Sequence, residues 1–142
     1  MTWKKYKMIY VTRREVFSTS HRLHNEKLSD EENFNLYGKC NNPNGHGHNY
    51  ILEVVIAGEI DEKTGYVIDL KKLKTIIIDN IISKVDHKHL NYDVDFMEGI
   101  NPTTENFVFK IWDELADKIP SGKLHSVILR ETENNFVEYK GK

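Results

Sequence analysis

An intrachain disulfide is excluded from the outset, because Cys40 is the only cysteine among 142 residues. A stapled secreted scaffold is thereby ruled out, and a reducing compartment suits the chain. Also missing is any run approaching the roughly 20 apolar residues that a membrane span needs. The opening Met1-Thr-Trp-Lys-Lys-Tyr-Lys7 has a basic flank but no apolar stretch of signal-peptide length behind it. These absences predict a cytoplasmic protein with no membrane partner. Nor is there an excess of charge of one sign: 20 basic residues are interspersed with 22 acidic ones, which argues against nucleic acid as the main partner. With no linker, low-complexity tract or internal repeat, residues 1–142 are expected to form a single domain.

What is present has clear periodicity. Met8 to His21 reads as a strand, bent near Arg13-Arg14, with β-formers alternating through Val16-Phe17-Ser18-Thr19-Ser20-His21. Ser29-Asp30-Glu31-Glu32 opens a short helix or turn under a serine or aspartate cap. A second strand runs from about His46 to Ala57, with Leu52, Val54 and Ile56 on one side and Glu53 on the other. From Asp69, a plausible N-cap, Leu70, Leu73, Ile76, Ile77, Ile81 and Ile82 recur at helical spacing to about Val85. Pro102-Thr103-Thr104-Glu105 begins a second long helix, which Pro120-Ser-Gly122 stops. Leu124 to Glu131 and Phe136 to Tyr139 then read as a hairpin around Thr132-Glu-Asn-Asn135. The order predicts an α+β fold, a four-stranded antiparallel sheet with both helices on one face. Its two free edges invite pairing with another chain.

The densest polar signal is Cys40-Asn-Asn-Pro-Asn-Gly-His46-Gly-His48. On a strand, His46 and His48 leave the same face, and a neighbouring strand ending in His21 brings a third imidazole alongside. Three histidines with a fourth position open form the pattern of a catalytic zinc site; hydrogen-bonding loop histidines are the alternative. Gly45 and Gly47 favour the site, since they let the backbone bend and leave room for a ligand. His24 is close enough to His21 to serve as a substitute ligand, whereas His89 and His125 read as ordinary surface or strand histidines.

Other residues each carry two readings. Cys40 is either a buried small apolar group or a thiolate activated by a metal or cation. Asp86-His87 is either a carboxylate–imidazole pair suited to proton transfer or a solvated helix exit. Glu131 either accepts two N–H bonds from a guanidine-like edge or sits at the rim of a turn. Thr103, Thr104 and Glu105 cap their helix or, through free N–H groups there, hold a polar heterocycle.

Together these motifs resemble the 6-pyruvoyl-tetrahydropterin synthases, above all the eukaryotic branch. The resemblance spans nearly the whole chain. It is carried by Phe17-Ser-Thr-Ser-His-Arg-Leu23, Leu28-Ser-Asp-Glu-Glu-Asn33, the block from Gly38 to Tyr50, Gly58-Glu-Ile-Asp61, Asp86-His-Lys88, Thr103-Thr-Glu-Asn106 and Tyr139-Lys-Gly141. It implies Zn2+ held by His21, His46 and His48, a proton-transfer set of Cys40, Asp86 and His87, and a pterin anchor at Glu131. Thr103 and Thr104, and more weakly Glu105, match residues that help hold the pterin ring. The implied reaction converts 7,8-dihydroneopterin triphosphate to 6-pyruvoyl-tetrahydropterin, with loss of triphosphate, on the route to tetrahydrobiopterin. The implied architecture is the tunnelling fold, in which subunits join their sheets into a barrel and two trimers stack into a homohexamer with sites at subunit interfaces.

Departures from the pattern are few: His89 replaces an expected asparagine, Asn101-Pro102 precedes the Thr-Thr-Glu motif, and Arg130 replaces an aromatic. Strand alternation points Arg130 away from Glu131. A related activity, 6-carboxy-tetrahydropterin synthesis, goes with a shorter gap between cysteine and His-Gly-His than the five residues between Cys40 and His46. A third possibility is a zinc- or pterin-binding protein without turnover; the intact Cys40, Asp86, His87 and Glu131 set argues against it.

Overall fold

A computed structural model describes residues 7–142, so the basic opening segment lies almost wholly outside the described residues. The spine of the fold is the antiparallel pair of β1 (Ile9–His21) and β2 (His46–Gly58), which stay in register from Ile9 opposite Gly58 to His21 opposite His46. On the other side of β2 lies β4 (Lys123–Arg130), followed by β5 (Phe136–Tyr139), both antiparallel. These four strands match the expected antiparallel sheet. A fifth strand joins it: the two-residue β3 (Lys88–His89) pairs parallel to the end of β1, giving the order β3-β1-β2-β4-β5. No periodicity is readable in two residues, which is why the sequence shows no sign of β3.

The two long helical segments cover one face of the sheet, and the short first helix lies apart from that core. α1 (Asp30–Tyr37) opens with a reciprocal capping box, Glu32 N donating to Ser29 Oγ and Ser29 N to Glu32 Oε1, both at 3.1 Å. Behind it, buried Asn33 accepts from Asn25 N and donates back to Asn25 O, fixing the loop that leaves β1. α2 (Leu70–Ile77), capped by Asp69, runs through a π turn at Ile78–Ile82 into α3 (Ser83–Val85). The reason lies in the apolar spacing. Leu73, Ile77, Ile81 and Val85 are fully buried at steps of four, and each such step overshoots an α-helical turn by about 40°. One wide turn takes up that drift and keeps all four against the sheet. α4 (Thr104–Leu115) adds Phe107, Val108, Ile111 and Leu115. They close the core over Phe17, Tyr50, Leu52, Val54, Ile56, Val127 and Leu129.

Candidate active site

Register builds the site. Because β1 and β2 are antiparallel with His21 opposite His46, and His48 is two residues further along β2, the three imidazoles emerge on the helix-covered face at one end of the sheet. Their ring centroids lie 4.6 to 5.2 Å apart, and one nitrogen from each falls within 4.8 Å of the others. His21 is buried, and its Nδ1 lies 2.8 Å from the Pro102 carbonyl at the entrance to α4. A carbonyl only accepts, so Nδ1 carries the proton and the lone pair is on Nε2, which faces His46 Nε2 at 3.1 Å. Tyr50, next on the same face, sets its hydroxyl 3.4 Å from His21 Nδ1.

The donor set fits a metal ion. His46 Nδ1 and His48 Nε2 are buried without a hydrogen-bond partner; His48 Nε2 is 3.1 Å from Glu131 Oε1 but out of hydrogen-bond alignment. Burial lowers the pKa of His21 to about 4, against the pull of the Pro102 carbonyl. Burial also lowers that of His48, while Glu131 pulls it back up. Near neutral pH both rings are therefore in the unprotonated form that ligates metal. His21 Nε2 and His46 Nε2, 3.1 Å apart, already stand near the spacing of about 3.3 Å that two nitrogens on one tetrahedral zinc would span.

Glu131, just past β4, accepts a short hydrogen bond from the hydroxyl of buried Thr104 in the first turn of α4. The two carboxylate oxygens thus link α4 to His48. Glu131 and Thr104 line a cavity of about 400 Å³ with Glu105, Asn134, Asn135 and Phe136. Thr103, in contrast, spends its hydroxyl as the cap of α4, accepting from Asn106 N at 3.1 Å. Arg130 points the other way, as alternation predicted: its Nε donates to Glu53 and its guanidinium lies over Phe136.

Cys40 and His46 share a cleft of about 930 Å³ on the other side of the trio. Asp86 and His87 do pair, His87 Nδ1 lying 3.1 Å from Asp86 Oδ1. Adjacent side chains converge here because His87 adopts φ of 60°, the left-handed region rarely occupied by residues other than glycine. Asp86 is pinned by the N–H of Ser18, and that bond, more than His87, holds its pKa below the usual carboxylate range. Yet His87 lines a different cleft, of about 530 Å³, with Ser18, Ser20 and Lys88. One chain therefore gathers the trihistidine, Glu131, Thr104 and Cys40 around one centre and leaves Asp86–His87 outside Cys40's cleft. His24 is not a substitute ligand: its Nδ1 accepts from Asn41 Nδ2 at 2.9 Å. Sequence reasoning missed Tyr50 and the Pro102 carbonyl. Tyr50 was readable as the next member of the alternation after His46 and His48; a backbone carbonyl leaves no such signal.

An α+β sheet carrying an open three-histidine cluster between a carboxylate pocket and a cysteine cleft defines a metalloenzyme-like class of protein. Comparison with known proteins narrows it: the family model for 6-pyruvoyl tetrahydropterin synthase matches residues 10–142, and the chain belongs to that family. It is 51% identical over 132 residues to the Homo sapiens 6-pyruvoyl tetrahydrobiopterin synthase, covering 93% of this chain and 91% of the relative. Against the Dictyostelium discoideum synthase it is 50% identical over 136 residues, with coverage of 94% and 97%. The solved Caenorhabditis elegans 6-pyruvoyl tetrahydropterin synthase superimposes with a TM-score of 0.90 at 40% identity, covering 96% of this chain and 98% of that one.

Proposed function

We propose that this chain is a zinc-dependent lyase that converts 7,8-dihydroneopterin triphosphate to 6-pyruvoyl-tetrahydropterin, eliminating triphosphate, in tetrahydrobiopterin biosynthesis. The observation that carries the reading is the set of three converging imidazoles, with buried unpartnered nitrogens, flanked by Glu131 on one side and Cys40 on the other. His21, His46 and His48 hold the Zn2+. When bound, the ion supplies Lewis-acid polarisation of substrate oxygens.

The protein's own groups do the rest. Glu131 accepts N–H bonds from the guanidine-like edge of the pterin, with Thr104 fixing its second oxygen. Thr103 and Glu105 shape the wall of that pocket, Thr103 by capping α4. Cys40, as thiolate, takes a carbon-bound proton from the substrate's side chain. The electron pair left behind forms a carbon–carbon double bond, and the carbon–oxygen bond to triphosphate breaks with its own pair leaving on phosphate. Asp86 and His87 relay protons during the internal redox shift that follows, Asp86 orienting the imidazole.

Because Asp86–His87 lies outside the cleft of Cys40, a second copy of the chain is proposed to bring its pair to that cleft. The outer strands β3 and β5 leave unpaired backbone groups at the two sheet edges, and assembly through those edges would give a barrel of three chains and a homohexamer of two such trimers. The reading extends to one synthase domain over residues 1–142, acting in the cytoplasm; among the described residues no helix is long and apolar enough to cross a membrane.

The test is to incubate zinc-loaded protein with 7,8-dihydroneopterin triphosphate and identify the pterin by mass spectrometry. A pyruvoyl product is expected. A carboxy product with acetaldehyde release, or no product from metal-replete protein, would sink the proposal.

A further inference from the structure

The proposed site has walls for the pterin and for the reacting carbons, but none yet for the triphosphate. We infer that Arg22 and Lys39, on the wall of the Cys40–His46 cleft, form the subsite that receives it, an inference that rests on the reaction proposed above. The layout is directional. Glu131 and Thr104 stand beside His48, and Cys40 stands beside His46 in the roomier cleft. A substrate anchored by its ring at Glu131 therefore runs its side chain across the three imidazoles toward Cys40. Its terminal phosphates then extend along the wall where Arg22 and Lys39 lie.

Both cations are available there. Arg22 Nε donates to the carbonyl of buried Asn41 at 3.0 Å, and Asn41 is itself anchored to Leu23 O and His24 Nδ1. The Arg22 backbone is clamped as well, by the amide of Asn91 on both its N–H and its carbonyl. The guanidinium is thus held by one edge, and among the described residues no carboxylate pairs with it or with Lys39. A guanidinium fixed in this way presents its remaining N–H groups to phosphate oxygens without first losing side-chain freedom. Of the cleft's lining residues only Asp30 is acidic, so cations outnumber it. A positive wall also stabilises the charge that collects on triphosphate as its carbon–oxygen bond breaks.

The experiment is calorimetric titration of the zinc-loaded protein with two probes, inorganic tripolyphosphate in excess magnesium and phosphate-free 7,8-dihydroneopterin. Arg22→Met and Lys39→Met should each weaken tripolyphosphate binding by about tenfold, leaving dihydroneopterin affinity and zinc content within about twofold. Lys72→Met, on the exposed side of α2, should change neither. Lys39 makes no hydrogen bond that its replacement would break, so its variant keeps the test valid if Arg22→Met folds poorly. Unchanged tripolyphosphate affinity, or equal weakening of both probes, would overturn the subsite, as would loss of tripolyphosphate binding in Lys88→Met alone. Absence of turnover in wild-type protein that still shows the expected binding pattern would defeat the proposed reaction and leave the subsite standing.

Discussion

His21 is the buried member of the three-histidine cluster, its Nδ1 meeting the Pro102 carbonyl and, at longer range, the Tyr50 hydroxyl. Its pKa, lowered by burial to about 4, has a consequence for metal-free protein. Well above pH 6.5 the ring is neutral folded or unfolded, and contributes no pH dependence. As pH falls from 6.5 to 4 only the unfolded chain takes the proton, so stability falls by about 3 kcal/mol over that window. Urea unfolding of the metal-free protein across this range should show the loss, and His21→Gln should abolish that part of the slope. His48→Ala, which removes one of the unpartnered nitrogens, should leave less than about a tenth of the wild-type zinc after dialysis. Turnover should vanish with it. Cys40→Ala separates the two roles: zinc is retained, while turnover drops by at least about a hundredfold if the thiolate is the base. Equal turnover with and without the thiol would remove Cys40 from the mechanism.

At the scale of elements, the loop into β2 is as constrained as the histidines that follow it. Gly45 has φ of 76°, and a Cβ there would meet His89 Nε2 at 2.8 Å and the His21 carbonyl at 3.0 Å. Gly45→Ala should therefore cost about 1–3 kcal/mol and loosen zinc as well, both readable from melting of the metal-free and zinc-loaded forms. Gly45 was legible in the sequence as a bend, but its contact with His89 was not, because that depends on β3 bringing residue 89 across the end of β1. The same division runs through the fold. The four antiparallel strands, both long helices and the Thr103 cap could be read from alternation and capping residues. The π turn was hidden, since isoleucines at steps of four look helical whether or not the turn widens. The site divides likewise: His46 and His48 share a strand face by spacing alone, whereas the approach of His21 depended on register, and the place of Asp86–His87 on a tertiary crossing.

For the molecule as a whole, that crossing decides how many chains a site needs. Cys40 opens on a cleft of about 930 Å³ and His87 on another of about 530 Å³. The Asp86 carboxylate is tied to Ser18 of β1, so the pair cannot swing to Cys40 without breaking that bond. If both groups serve one reaction, the proton relay must come from a neighbouring copy docked at the sheet edge. Mixed assemblies test this directly. Cys40→Ala and His87→Ala chains should each be inactive alone, yet unfolding and refolding them together should restore activity. With random assortment, roughly a quarter of sites receive an intact Cys40 from one chain and an intact His87 from its neighbour. Recovery near that fraction, in a species that sizes as a hexamer, would mean the site is shared. A mixture as inactive as its parts would place the whole relay within one chain, and would require Asp86 to release Ser18 during turnover.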